Sequence, residues 1–132
     1  MKQAVTIKIT AIITLLFLII TASGIIAQRV LYNDSRRMVQ PIEKLKENIA
    51  SENWNEAGNS LDLVNTEWAK VKGKWSALVD HQEIDNIDVT ISRLQKLVEA
   101  RDKASSLSEA AALGKFVSHI PEKELPNLDN IF

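Results

Sequence analysis

The sequence predicts an all-α protein: a single N-terminal transmembrane helix, then an up-and-down bundle of three long helices plus a short fourth helix. Three observations carry that expectation. Twenty residues between Lys8 and Arg29 hold no charge. From Met38 onward, apolar residues recur every three or four positions, the period of a helix. No stretch alternates apolar with polar residues and no Asn-Gly pair marks a hairpin, so nothing predicts a strand.

The uncharged segment Ile9–Gln28 is dominated by Ile, Leu and Phe. As a helix it is about 30 Å long, the thickness of a bilayer's hydrocarbon. Thr10, Thr14, Thr21 and Ser23 are tolerable there because their hydroxyls can bond back to helix carbonyls. Tyr32 falls where an interfacial aromatic belongs. The organisation expected is a tail over 1–8, a span over 9–28, a helical domain over 29–120 and a tail over 121–132. A rival reading stays open. Basic Met1–Lys8, an apolar stretch and Ala22-Ser23-Gly24 also fit a cleaved secretory signal. The apolar stretch exceeds the usual length of about 7–15 residues, which favours an uncleaved anchor. Both readings carry the domain out of the cytoplasm. Charge counting pulls the other way: Lys2 and Lys8 precede the span, whereas Arg29, Arg36, Arg37, Lys44 and Lys46 follow it. Because the N-terminal tail resembles a signal n-region, the expectation is a single-pass protein of the cell membrane with an extracytoplasmic domain.

Within the domain, Met38, Ile42, Leu45 and Ile49 form the stripe of a first helix, in which Pro41 can kink or restart the chain. The second stripe is the longest. Trp54, Ala57, Leu61, Val64, Trp68, Val71, Trp75, Leu78 and Gln82 keep a 3-4 alternation, with all three tryptophans at one heptad position. It predicts a helix from about Asn53 to Val79. Gly58 and Gly73 weaken that helix unless a neighbour approaches closely there. The register then breaks. Ile84, Ile87, Ile91, Leu94 and Val98 form a third stripe displaced by two residues, and Asp80-x-x-Glu83 reads as its capping box, with Asp80 accepting from the Glu83 amide. Ser106-x-x-Glu109 offers a second cap for a short helix carrying Ala110, Leu113 and Val117, which Pro121 ends. The tail closes on Asn-Ile-Phe, so Ile131 and Phe132 are expected to pack on the bundle.

Composition excludes several classes. There is no cysteine, hence no disulfide, thiol nucleophile or zinc-thiolate site. Of sixteen basic residues, all but Lys2 and Lys8 follow the span, so the part from Gln28 onward carries fourteen against seventeen acidic. The signs are interspersed, and nothing suggests a nucleic-acid surface.

Three segments carry a resemblance: Glu52-Asn53-Trp54-Asn55-Glu56-Ala57, the block from Lys74-Trp75 through Asp80-His81 to Ile87, and His119-Ile120-Pro121-Glu122-Lys123-Glu124 with the ending Asn130-Ile131-Phe132. In these the chain resembles a family of small single-span bacterial proteins of unknown function. That family is common in endospore-forming bacteria and catalogued as a numbered domain of unknown function. The resemblance extends over the whole chain. It implies membrane attachment and a helical domain, but no activity and no functional residues.

No catalytic motif is present: no Gly-x-Ser-x-Gly, no glycine-rich phosphate loop, no His-Glu-x-x-His. The expectation is that the chain is not an enzyme and has no cofactor. The only candidate chemistry is a metal site built from His81 and Asp85, four apart on one helix face, with Asp80, Glu83 and Asp88 nearby and His119 joining from afar. The plainer reading is that these carboxylates cap a helix and complement its positive end. Three functions stay open. The first is an anchored accessory protein whose partners are the lipid bilayer and another membrane or envelope protein. The second is a ligand-sensing module with a pocket lined by Trp68 or Trp75. The third is a metal-binding module.

Overall fold

The computed structural model describes residues 1–123. These form four helices and no strand: α1 Lys2–Ala50, α2 Trp54–Leu78, α3 His81–Glu99 and α4 Lys103–Lys123. The expected packing of Ile131 and Phe132, and most of the 121–132 tail, lie outside the described residues.

Helix α1 is unbroken for 49 residues, a rod of about 74 Å. The expected tail, span and first domain helix are thus one element that begins at Lys2. The helix runs on through the turn-favouring Asn33-Asp34-Ser35 because Asp34 and Ser35 are buried, where Trp75, Lys74 and the Val117 carbonyl engage their side chains. Pro41, the expected kink or restart, sits inside the helix. Every side chain from Met1 to Ile26 is exposed, and burial starts further along, at Leu31. The hydroxyls of Thr10, Thr14 and Thr21 donate to the carbonyls four residues back at 2.8–2.9 Å, and Ser23 donates to Ile20. By length and composition this helix is a candidate span; a signal sequence satisfies the same criteria.

The predicted stripes are the core. Met38, Ile42, Leu45 and Ile49 of α1 are fully buried, and Ala57, Leu61, Val64, Trp68, Val71 and Trp75 of α2 meet them. Ile84, Ile87, Ile91, Leu94 and Val98 of α3 and Ala110, Leu113, Val117 and Ile120 of α4 complete one cluster. Two members of the second stripe depart from it: Gln82 is exposed and belongs to α3, and the other is Leu78. Leu78 is 39% exposed and Val79 is buried instead. The helix stops at Leu78, and the extended backbone of Val79 (φ −125°, ψ 151°) swings its side chain inward.

Polar contacts fix which helix ends meet. Asn48 donates to Ser60 at 2.9 Å while Asp34 meets Trp75, so α1 and α2 run antiparallel. Lys103 lies 3.9 Å from Glu52, and Gln28 donates to the Pro121 carbonyl at 2.6 Å, so α4 also runs against α1 and ends level with the close of the apolar segment. Helix α3 packs against α2 and α4.

Two turns share one design. After α1, the Glu52 amide donates to Ile49 and the Asn53 amide to Asn48; after α3, Arg101 donates to Val98 and Asp102 to Leu97. This is the Schellman pattern, and its left-handed residue is Glu52 (φ 58°) or Arg101 (φ 56°) where glycine is usual.

Three helix ends differ from expectation. The Asp80 carboxylate accepts from the Gln82 amide at 2.7 Å rather than from Glu83. Helix α4 starts at Lys103, capped by Asp102, whose carboxylate accepts from Ser105. The expected cap, Ser106, is buried inside that helix and its Oγ has no hydrogen-bond partner. With 21 residues, α4 is no short element; α3 has 19. It also continues through Pro121. A proline there removes the N–H that Val117's carbonyl would accept. Ser35 of α1 supplies the replacement, donating its hydroxyl to that carbonyl at 2.9 Å. Gly58 and Gly73 admit no close neighbour, since an added Cβ would meet nothing within 4 Å at either.

Two predictions follow from these positions. Gly58→Ala and Gly73→Ala should each stabilise the domain by about 0.5–1 kcal/mol, read as a higher urea midpoint of the full chain in detergent by circular dichroism. In the same assay Ser35→Ala should cost about 1–3 kcal/mol, the penalty of a buried unsatisfied carbonyl. That cost should shrink in a Pro121→Ala background, where residue 121 regains its N–H; an unchanged cost would show that Ser35 does not serve the proline.

Candidate functional site

Two acidic side chains stand between the helices, and each is held by a tryptophan and a lysine of α2. Asp34 of α1 is buried. Its Oδ2 accepts from the Trp75 indole at 3.3 Å and lies 2.8 Å from Lys74 Nζ. Asp88 of α3 accepts from the Trp68 indole at 2.7 Å through Oδ1 and from Lys72 at 2.6 Å through Oδ2. The two indoles meet edge to face, centroids 5.8 Å apart. The seven-residue spacing of Trp68 and Trp75 puts both rings on one face of α2. Their N–H groups then fall to opposite neighbours, α1 and α3. Thus the tryptophans fill the core and cross-link it. The ligand pocket expected along Trp68 and Trp75 loses its motivation, because rings and N–H groups are both engaged.

Burial raises the affinity of the Asp88 carboxyl for a proton, but the hydrogen bonds from Lys72 and Trp68 and the Lys72 charge outweigh it. The net result is a carboxyl below its ordinary value of 3.8. Asp102 is also lowered, through its hydrogen bonds with Ser105. Sequence reasoning missed Asp34 and assigned Asp88 to a different cluster. The readable signal was a Trp or Lys four residues apart on α2, Trp68 and Lys72, facing an acidic residue on another helix.

The candidate metal ligands are placed as follows. His81 and Asp85 lie one turn apart on α3, both exposed; His119 is exposed near the end of α4; Asp80 caps α3; Asp88 points to α2. Among the described residues, no three His, Asp or Glu side chains are grouped so as to hold a metal ion.

Two surface features remain. A groove of about 960 Å³ runs between α3 and α4, lined by the apolar Val89, Leu97 and Ala104 and by the charged Arg93, Lys96 and Glu109 among others. The second is a polar face of α1 just beyond the apolar segment, where Asn33, Arg36, Arg37 and Gln40 line a hollow of about 350 Å³.

A family model described as a domain of unknown function, DUF4363, matches residues 25–131. The match takes in the helical domain and leaves most of the apolar segment outside it, so it is narrower than the whole-chain resemblance. No curated protein and no solved structure matches the chain.

The Asp88 contacts set a pH response. A carboxyl lowered in the folded state contributes stability above its unfolded value of 3.8, and that contribution is lost as pH falls through the lower folded value. Acidification below 3.8 should therefore release Trp68 from Asp88, seen as a change in tryptophan emission. Lys72→Gln should move that transition up towards 3.8, and Asp88→Asn should abolish it.

Proposed function

We propose that this chain, which belongs to the DUF4363 family, is a membrane-anchored accessory protein without catalysis of its own. Its domain, an up-and-down bundle of four helices, would hold another membrane or envelope protein close to the bilayer. The observation that carries the reading is the continuity of α1. One helix, Lys2–Ala50, supplies both the exposed apolar segment and a wall of the buried core. A flexible stalk is absent between these two parts, so the domain is held at a set height and rotation above the membrane. That arrangement suits presentation of a surface to a neighbour in the same membrane. The groove between α3 and α4 supports the reading: apolar side chains contribute to its lining, and one of them, Val89, is 47% exposed. The domain is assigned to the outside of the cell membrane, with the N-terminal segment retained as its anchor.

A photo-activated cross-linker at Val89, in the full chain in native membranes, should give one discrete adduct with another protein. The same group at Lys44, on the exposed face of α1, should give none. Absence of any reproducible adduct at Val89 would remove the accessory-protein reading. A reporter active only outside the cytoplasm, fused after Phe132, should give a signal; activity of a cytoplasmic reporter instead would reverse the orientation.

A further inference from the structure

On α1, immediately past the apolar segment, three arginines share an exposed face. Arg29, Arg36 and Arg37 are all exposed, and none forms an ion pair with a described residue within 4.0 Å. The acidic residue of this stretch, Asp34, points the other way into the core and is taken by Lys74. Two other carboxylates come near. Glu67 lines an adjoining hollow with Arg37 but is paired with Lys70 at 2.7 Å; Glu122 lines another with Arg36. Among the described residues this face therefore carries a net positive charge.

Depth decides what that charge can meet. Arg36 is nine residues beyond Ala27, about 13 Å along the axis. Side chains of a helix lean towards its N-terminus, which for α1 is the membrane side. The contact of Arg36 confirms the lean: its guanidinium lies 5.9 Å from the ring centre of Tyr32, one turn nearer the apolar segment. An extended arginine reaches back by about half that 13 Å, into the headgroup layer that adds roughly 5–7 Å to each side of the hydrocarbon. Arg29 is already at that level. Asn33 and Gln40 join Arg36 and Arg37 around the hollow, offering amide donors beside the two guanidinium forks. Guanidinium forks match phosphate oxygens two at a time.

Resting on the anchored reading above, we infer that this face is a binding site for the phosphate headgroups of anionic phospholipids. Arg36, Arg37 and Asn33 cradle one headgroup and Arg29 meets the layer beneath. The site fixes the rotation of α1 in the membrane, because only one face of the helix carries it.

The test uses the full chain in nanodiscs of equal phosphatidylglycerol and phosphatidylcholine, with retained lipids counted by native mass spectrometry. The wild type should retain phosphatidylglycerol preferentially. Arg36→Gln with Arg37→Gln should lower that preference by about fivefold for each arginine removed. Arg36→Lys with Arg37→Lys should fall between, because charge is kept and the forks are lost. Lys44→Gln with Lys103→Gln, far along the domain, should leave the preference unchanged. Equal preference in the wild type and the double glutamine variant would overturn the site. So would suppression of phosphatidylglycerol retention by inorganic phosphate at equal concentration, which would mark a site for soluble phosphate. Loss of the Val89 adduct with unchanged lipid retention would assign the face to an acidic protein and overturn the lipid assignment. Alkaline extraction, done first, separates this inference from its premise. A chain washed off the membrane overturns both the anchor and the site, whereas a retained chain without lipid preference overturns the site alone.

Discussion

Between Ile26 and Leu31 one helix passes from a surface that is apolar on every side to one that is apolar on a single side, with its backbone ladder intact. Much follows from that continuity. On the anchored reading, a break at this level would strand amide and carbonyl groups beside the hydrocarbon, where each unsatisfied group costs several kcal/mol. An unbroken helix avoids the cost and has a second effect. The angular position of every α1 side chain in the domain is tied to that of every side chain in the apolar segment. Helices α2 and α4 pack against α1, so the domain inherits its orientation from the segment.

Apolar stripes hold the helices together but resist sliding and rotation weakly, since one methyl ridge replaces another at low cost. The polar contacts supply what the stripes lack. Asn48 with Ser60 and Asp34 with Trp75 fix α2 on α1; Asp88 with Trp68 and Lys72 fixes α3 on α2; Ser35 with Val117 and Gln28 with Pro121 fix α4 on α1. Burying a carboxylate as deep as Asp34 is unfavourable unless a partner shares the charge. Lys74 does so while half of its own side chain remains in water, which limits the desolvation cost to one member of the pair. Trp75 is the pivot of this network: fully buried, edge to face with Trp68, and bonded to α1.

How far the sequence could be read depended on whether each feature was local. The four core stripes and the register break at Asp80 are local, set by spacings of three and four, and the structure reproduces them. What escaped prediction involved partners far along the chain. Pro121 is normally a stop, and nothing near it indicates otherwise; the relief comes from Ser35, 82 residues from the carbonyl it serves. Ser106 matched a capping pattern, yet helix α4 had begun a turn earlier at Asp102, which left Ser106 facing the core. The turns at Glu52 and Arg101 were obscured because both left-handed positions hold residues other than glycine. For the candidate site, His81 and Asp85 were correctly placed on one face, but that face is outward. The carboxylates that make contacts between helices, Asp34 and Asp88, are assigned by rotation about the helix axis, which a list of spacings does not fix across two helices.

The two ends of the domain are built by different means. At the far end, α1 and α3 each stop in a Schellman turn, and in each case a single residue, Asn53 or Asp102, separates the left-handed position from the next helix. Holding a non-glycine residue in that conformation costs about 1–2 kcal/mol. In return the connection is as short as a helix reversal allows, so α2 and α4 start close against the helices they follow. At the near end, nothing so tight is needed between α2 and α3, where extended Val79 drops into the core and Asp80 caps the next helix. There the closure is made instead by α4 returning to α1 at Gln28 and Ser35. With α4 ending level with the close of the apolar segment, the domain on the anchored reading sits directly on the bilayer. Its base then faces headgroups, and the surfaces left for proteins are the outer flanks, including the groove between α3 and α4, and the two strained turns at the far end.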